Sequence, residues 1–158
     1  MRIPAGPPFV IDMRIRYAKL SDMDIVYNLS KDDFKKENWF DKETLKWIIK
    51  FNPKSCWVLE DKGKIIGARF TCDAWGRTAW GWLIIIKTDL RRRRLGTFLF
   101  NKCSTVLKKR GIERIMTDVY SKDKPSIQWH KAMGYRELGR VKDWFNKGKD
   151  AIIFCKYL

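Results

Sequence analysis

Apolar positions along the chain fall into short blocks, alternating in some and recurring at helical spacing in others, and these blocks set the expected elements. Residues 12–18 alternate, with Ile15 and Tyr17 set against Arg14 and Arg16, which predicts a first strand. Ser21-Asp22-Met23-Asp24 has the layout of a capping box, with Asp in place of the usual Glu or Gln; Ile25, Val26 and Leu29 follow as a helical stripe. Asp41 is placed to cap a second helix carrying Leu45, Trp47, Ile48 and Ile49, and Asn52-Pro53 ends it because the residue before a proline avoids helical backbone. Strands over 56–60 and 64–72 flank Asp61-Lys62-Gly63, a hairpin turn in which Gly63 accepts positive φ. Residues 79–87 give a third strand whose second half is continuously apolar, as in a buried central strand. Leu95, Phe98, Leu99, Cys103, Val106 and Leu107 mark one face of a long helix that Gly111 terminates. A strand over 112–120 follows, then a helix opened by Pro125 and closed by Gly134. A last hairpin pairs 135–142 with 151–157 around Asn146-Lys147-Gly148. The order β-α-α-β-β-β-α-β-α-β-β predicts a mixed α/β fold around one central sheet.

With 158 residues and no repeat or low-complexity linker, one domain over 12–158 is expected, preceded by a loose leader over 1–11. No stretch approaches the ~18 consecutive apolar residues of a membrane helix, and the start does not read as a secretory signal. A cytoplasmic protein without a membrane partner is expected. Cys56, Cys72, Cys103 and Cys155 are far apart, form no CxxC pair and accompany a single histidine, so no metal site is expected and buried reduced thiols are. The net charge of +16 attracts polyanions: nucleic acid, a ribosome surface, an anionic cofactor or an acidic peptide. Scattered lysines also keep a protein soluble, and charge alone does not choose between these.

Candidate chemistry concentrates in residues 84–99, IIIKTDLRRRRLGTFL, where a strand runs through a short loop into a helix. The first amides of a helix lack partners within it and point outward, and the helix dipole adds positive charge there, so a pyrophosphate fits such a place. Gly96 lets backbone approach an anion closely, and Arg91, Arg92, Arg93 and Arg94 add mobile positive charge. The same four arginines also suit a solvated turn or a nucleic-acid contact.

Here the chain resembles the GNAT superfamily of N-acetyltransferases. The family's Arg/Gln-x-x-Gly-x-Gly/Ala signature reads Arg91-Arg92-Arg93-Arg94-Leu95-Gly96, with Arg94 at the first glycine, so that the loop either takes a different path or holds an arginine in a glycine's backbone. The family's Asn-x-x-Ala-x-x-x-Tyr-x-x-x-Gly-Phe matches residues 123–135, from Asp123 to Tyr135. The ending GYRELGRVKDWFNKGKDAIIFCKYL resembles those of the protein amino-terminal and ribosomal-protein acetyltransferases. The three occur in order at fitting spacings, and the resemblance runs from about Met13 to the end.

The resemblance implies a mostly antiparallel sheet of about seven strands flanked by four helices. It implies acetyl-CoA as cosubstrate, no metal, and direct attack by a primary amine acceptor such as a peptide or protein N-terminus, a lysine or a small amine. The pantetheine arm would run along Ile84, Ile85 and Ile86, and the pyrophosphate would sit on amides from Arg92 through Leu95 and Gly96 to Thr97. His130 stands at the family's acidic Tyr; it is either the donor to the leaving thiolate or an ordinary helix-surface residue, with Tyr120 or water as donor. Asp118 matches the base position, working through a water, or is an edge carboxylate balancing lysines. Asp123 replaces an Asn that contacts the pantetheine region. Trp39, Phe40, Trp144 and Phe145 either line the acceptor groove or pack in the core. Two competing readings remain: a basic nucleic-acid- or ribosome-associated module, supported by Arg91–Arg94 and Lys108-Lys109-Arg110, and a GNAT-fold CoA-binding protein with reduced catalysis. A monomer or homodimer is expected.

Overall fold

The computed structural model describes residues 12–34 and 41–158. The leader over 1–11, Trp39 and Phe40 lie outside the described residues. In chain order the elements are β1 (Met13–Tyr17), α1 (Met23–Phe34), α2 (Lys42–Phe51), β2 (Cys56–Asp61), β3 (Lys64–Asp73), β4 (Thr78–Ile86), α3 (Leu95–Lys109), β5 (Arg114–Tyr120), α4 (Lys124–Ala132), β6 (Arg136–Asn146) and β7 (Lys149–Tyr157). Among the described residues the fold is mixed α/β, with four α-helices and one seven-stranded sheet ordered β1-β2-β3-β4-β5-β7-β6. β1–β2, β2–β3, β5–β7 and β6–β7 pair antiparallel, while β4–β5 pair parallel. A parallel pair needs a crossover, and α3 lies in that connection. The element order is the one the apolar pattern predicts.

The chain divides into two compact units, Met1–Phe70 with Leu83–Cys103, and Thr71–Trp82 with Ser104–Leu158. In the first, Val26, Leu45, Ile48, Val58, Leu59, Phe70, Leu99 and Phe100 are almost wholly buried. Lys62 and Gly63 both adopt positive φ, 49° and 79°, as a two-residue hairpin between β2 and β3 requires. Asp41 caps α2, its Oδ1 accepting the Thr44 amide at 2.7 Å. The start of α1 differs from the expected capping box. A 3₁₀ turn over Leu20–Asp22 precedes it, and Asp22 is buried. The Asp22 carboxylate accepts two bonds from Arg16, at 2.8 and 2.9 Å, and one from the Lys19 amide at 2.7 Å. Arg16 also donates to Glu60 at 2.7 Å. The capping-box spacing is local, whereas this arginine comes from the neighbouring strand, and its two bonds turn the carboxylate inward.

In the second unit, Ala79, Leu107, Ile115, Ala151 and Phe154 form the fully buried centre. Gly134 ends α4 at φ 88°, and a Cβ there would lie 2.9 Å from the Lys156 ammonium, which donates to the Met133 carbonyl at 2.6 Å. Both the backbone and the close approach call for glycine. β6 is an edge strand, exposed along almost its whole length; Arg136, Arg140 and Lys142 charge it against edge-to-edge pairing. Cys56, Cys103 and Cys155 are buried free thiols and Cys72 is half-buried.

Candidate active site

The candidate cofactor loop lies in the first unit. Ile85 and Ile86 are buried and Ile84 half-buried at the end of β4. A Cβ on Gly67 of β3 would come within 2.7 Å of Ile86 Cδ1 and 2.9 Å of the Ile85 carbonyl, so this strand end is held by close backbone packing. The Lys87 amide donates to Ile66 at 2.8 Å, and a 3₁₀ turn over Thr88–Leu90 follows. Arg91 then folds back, its Nε donating to the Ile86 carbonyl at 2.9 Å. The four arginines are exposed, Leu95 is buried, and Gly96 and Thr97 are half-buried in the first turn of α3. The Phe98 amide donates to Arg94 at 3.0 Å and opens the helical ladder.

Arg92 and Arg94 both adopt left-handed backbone, with φ of 62° and 61°. For a residue with a Cβ this costs about 1–2 kcal/mol. The arginine standing where the family pattern has glycine therefore holds a glycine's backbone. Left-handed residues beside a helix start turn successive amides toward one side, the arrangement of anion-binding concavities. Arg94→Gly is expected to relieve the strain and stabilise the chain by up to about 1 kcal/mol, after the added freedom of the unfolded state is subtracted. Denaturant midpoints check this, and a clear loss of stability would show that the arginine side chain holds the loop.

The second unit carries the carboxylate. Along β5, Ile115, Thr117 and Val119 are buried, which leaves Met116, Asp118 and Tyr120 on the opposite, half-buried face. β4 pairs with β5 from Thr78↔Arg114 to Gly81↔Thr117, and Trp80, opposite Met116, shares that face. The Trp80 indole Nε1 donates to Asp118 Oδ1 at 3.2 Å. From β6, Trp144 Nε1 donates to Asp118 Oδ2 at 3.0 Å. The two indole rings lie 6.3 Å apart, tilted by 32°. Burial pushes the Asp118 carboxyl above the usual carboxylate range; the bonds from Trp144, its own backbone amide and Trp80 act in the other direction. Phe145 meets the Tyr120 ring edge-on at 6.3 Å.

Trp144 and Phe145 reach this place because the hairpin is irregular. Val141 pairs with Ala151 and Asn146 with Lys149, so Lys142–Phe145 stand opposite Asp150 alone. Asp143 adopts φ 54° there. Asp150 braces the excursion: its Oδ1 accepts the Asp143 amide at 3.0 Å and its Oδ2 accepts Arg140 Nε at 2.9 Å. Those bonds, the backbone one first, hold its carboxyl below the ordinary value. Bulges of this kind re-aim side chains beside functional sites.

His130 is on α4 but is not a surface residue. It is 8% exposed, stacks on Phe154 at 5.5 Å and 16°, and meets Trp129 and Tyr135 edge-on, each at 5.0 Å. Its Nδ1 lies 2.7 Å from the Ser126 carbonyl. A carbonyl only accepts, so Nδ1 carries a proton, and in the neutral ring Nε2 is then the acceptor. Asp123 caps α4, its Oδ1 accepting the Ser126 amide at 3.1 Å. Asn and Asp serve equally well as caps, which accounts for the replacement of the family's asparagine.

Sequence reasoning missed Trp80 and Asp150. Alternation along β4 marks Trp80 as sharing a face with Trp82, but only the parallel register shows which strand that face meets. Among the described residues, no group of three or more His, Cys, Asp or Glu side chains is placed to share a metal ion. No helix among them is long and apolar enough to cross a membrane.

An uncharacterized N-acetyltransferase from Methanocaldococcus jannaschii is 29% identical over 129 residues, 73% of this chain; the chain spans about half of that relative's length, 54%. The crystal structure of Ard1 from Thermoplasma volcanium superposes with a TM-score of 0.84 at 15% identity, covering 94% of this chain and 99% of the other. A putative acetyltransferase from Salmonella typhimurium, solved with its cofactor acetyl-CoA, gives a TM-score of 0.73 at 16% identity over 93% and 94% of the two chains. The fold is the one these enzymes share. Residues 23–135, well over half the sequence, match the acetyltransferase (GNAT) family, and the chain belongs to it.

Proposed function

We propose that this protein transfers the acetyl group of acetyl-CoA to a primary amine by direct attack while both substrates are bound. The observation that carries the reading is the loop from Ile86 to Gly96, in which two left-handed arginines lead into the first turn of α3 at the place of the family signature. The residues fit the cosubstrate: outward amides of a helix start and four exposed guanidinium groups suit a pyrophosphate. The apolar strand end at Ile84–Ile86 suits the pantetheine arm, with the Ile86 carbonyl already bonded to Arg91.

In the proposed reaction Asp118 takes a proton from the acceptor ammonium, directly or through one water. The amine nitrogen bonds to the thioester carbon and gives up its second proton to water as the carbon–sulfur bond breaks and the thiolate leaves. His130 supplies the thiolate's proton as an imidazolium from Nε2, its Nδ1 being anchored to Ser126, and Tyr120 is the second candidate. A carboxyl with its acidity weakened by burial is a better base near neutral pH than an ordinary aspartate. In this reading Trp144, bonded to Asp118, and Phe145, beside Tyr120, flank the acceptor, and the resemblance of the closing hairpin favours a peptide or protein N-terminus. A cytoplasmic setting, where acetyl-CoA is available and thiols stay reduced, suits the four free cysteines.

Binding is the direct test. Acetyl-CoA at 100 times its Kd is expected to stabilise the fold by about 2.7 kcal/mol, read as a raised melting temperature. Gly96→Val is expected to lose most of that shift, with at least a tenfold weaker Kd, because its side chain stands among the amides that meet the pyrophosphate. No shift for the parent protein at millimolar acetyl-CoA would overturn the reading.

A further inference from the structure

We propose that Trp80 and Trp144 are positioning residues for the base: their two indole N–H groups clamp the Asp118 carboxylate, one on each oxygen, and hold it ionised and oriented toward the acceptor ammonium. The inference rests on the acetyltransferase reading for its role in turnover, while the clamp itself is tested without turnover.

The geometry is specific. An ionised carboxylate has about four lone-pair sites and only accepts. One site on each oxygen is filled, Oδ1 by Trp80 at 3.2 Å and Oδ2 by Trp144 at 3.0 Å. The plane of the carboxylate is then fixed from both sides; its own backbone amide also bonds to it, and the lone pairs still open are left for an ammonium or a bridging water. The two donors come from different strands and neither is free to wander. Thr117 Oγ1 donates to the Gly81 carbonyl at 3.0 Å, tying β5 to β4 next to Trp80. Trp144 sits in the excursion of β6 that Asp150 braces.

The clamp also acts on the proton. Protonating Asp118 turns one oxygen into a hydroxyl, which accepts an indole N–H far less well, so both bonds favour the ionised form. Burial favours the neutral form. The two influences oppose each other on one carboxyl, which is how a base is kept available without being left fully charged in a half-dry place. The groups packed around Asp118 add little charge of their own. From β4 it meets Trp80, and from β7 the opposite residue is Ile153. On β6 and β7, Arg140 and Asp150 bond each other and the Asp143 carboxylate accepts the Gly148 amide at 2.6 Å. Lys142 and Lys149 flank the excursion, and Tyr120 lies two residues along β5. Among the described residues, the influences on Asp118 are burial and hydrogen bonds, with no charged neighbour contributing.

The experiment uses the full chain with Trp80→Phe and Trp144→Phe, which keep an aromatic ring and delete the N–H. First, the Asp118 carboxyl is titrated by carbon-13 NMR in parent and variants, with Asp118→Asn identifying the resonance. Each variant is expected to move the midpoint upward by about one pH unit, the tenfold effect of one lost bond to a charged group. Second, the pH profile of acetyl transfer to a small primary amine is measured at saturating acetyl-CoA. The acidic limb is expected to move upward with the NMR midpoint, and turnover at a pH below that limb to fall about tenfold. In an Asp118→Asn background, which has no Asp118 titration left to move, neither tryptophan variant is expected to shift the acidic limb. An unmoved NMR midpoint in both variants overturns the clamp, whatever the activity. A moved midpoint with an unmoved acidic limb overturns the positioning role, and an intact acetyl-CoA melting shift then leaves the acetyltransferase reading standing. Lower melting temperatures with neither readout moved would mark the tryptophans as packing alone and also overturn the proposal.

Discussion

Asp118→Asn is expected to lower the turnover of acetyl transfer by about 10²–10⁴-fold, the usual range for a lost general base, with little change in the acetyl-CoA melting shift. The amide is nearly isosteric but cannot take the ammonium proton. It keeps one oxygen for one indole and turns an NH₂ toward the other, so one of the two tryptophan bonds is lost. The same variant makes a separate statement about stability. Burial raises the Asp118 carboxyl above its ordinary, unfolded value. Between the ordinary and the raised value, the folded chain holds a proton that the unfolded chain has released. The slope of unfolding free energy with pH is then negative, so stability from this group is lost as pH rises through that window. Below the window the group has no effect, and above it the full penalty of the ionised buried carboxylate is present. Asp118→Asn removes the slope. Denaturant midpoints measured from acid to neutral pH are expected to fall less steeply in the variant than in the parent. An unchanged slope would mean that Asp118 ionises as freely in the fold as in the unfolded chain. A turnover within twofold of the parent would remove it from the reaction.

The secondary structure was legible because each element carries a local signal. The apolar stripe of α3, the hairpin at Lys62-Gly63 and the proline at the first turn of α4 are read within a few residues of themselves. The strand, loop and helix start of the candidate cofactor loop were legible for the same reason, since they are contiguous in sequence. The surroundings of Asp118 were not. Asp118 and Trp80 are 38 positions apart, and their contact depends on the parallel register of β4 on β5, which no local pattern encodes. Trp144 belongs to a strand whose register breaks, with four residues set against Asp150, and period-two reasoning fails at a bulge. The local cap falls on Asp22, which accepts the Lys19 amide, and not on Ser21 and Asp24; its other partner, Arg16, lies on a strand and is invisible to local spacing. Left-handed backbone at Arg94 is one of the two alternatives its place in the signature leaves open; at Arg92 no sequence signal announces it, since residues other than glycine, asparagine and aspartate seldom take it. Such strain persists where the surrounding structure over-determines the loop, and it concentrates at ligand clamps.

His130→Phe is expected to cut turnover by about 10²–10⁴-fold while leaving acetyl-CoA affinity near that of the parent, because proton donation to the thiolate matters only as the carbon–sulfur bond breaks. Phenylalanine is the informative substitution. The imidazole stacks on Phe154 and meets Tyr135 and Trp129 edge-on, so alanine would open a cavity and mix a packing loss with a catalytic one. A phenyl ring fills the same slot and gives up one bond, from Nδ1 to the Ser126 carbonyl, at a cost near 1 kcal/mol. That loss shows in the melting temperature, and the catalytic loss in turnover at saturating substrates, so the two are read apart. His130→Tyr is expected to recover part of the rate, since it restores a hydroxyl where the family carries tyrosine. Its pH profile is expected to differ from the parent's, because a phenol and an imidazole ordinarily exchange protons in different pH ranges. A weakly basic acceptor is needed for that comparison, because deprotonation of an ordinary amine would mask the alkaline side. Should His130→Phe turn over within a factor of two of the parent, the imidazole is part of the aromatic core and nothing more. The thiolate's proton then comes from Tyr120 or from water, and Tyr120→Phe separates the two by carrying the loss or not.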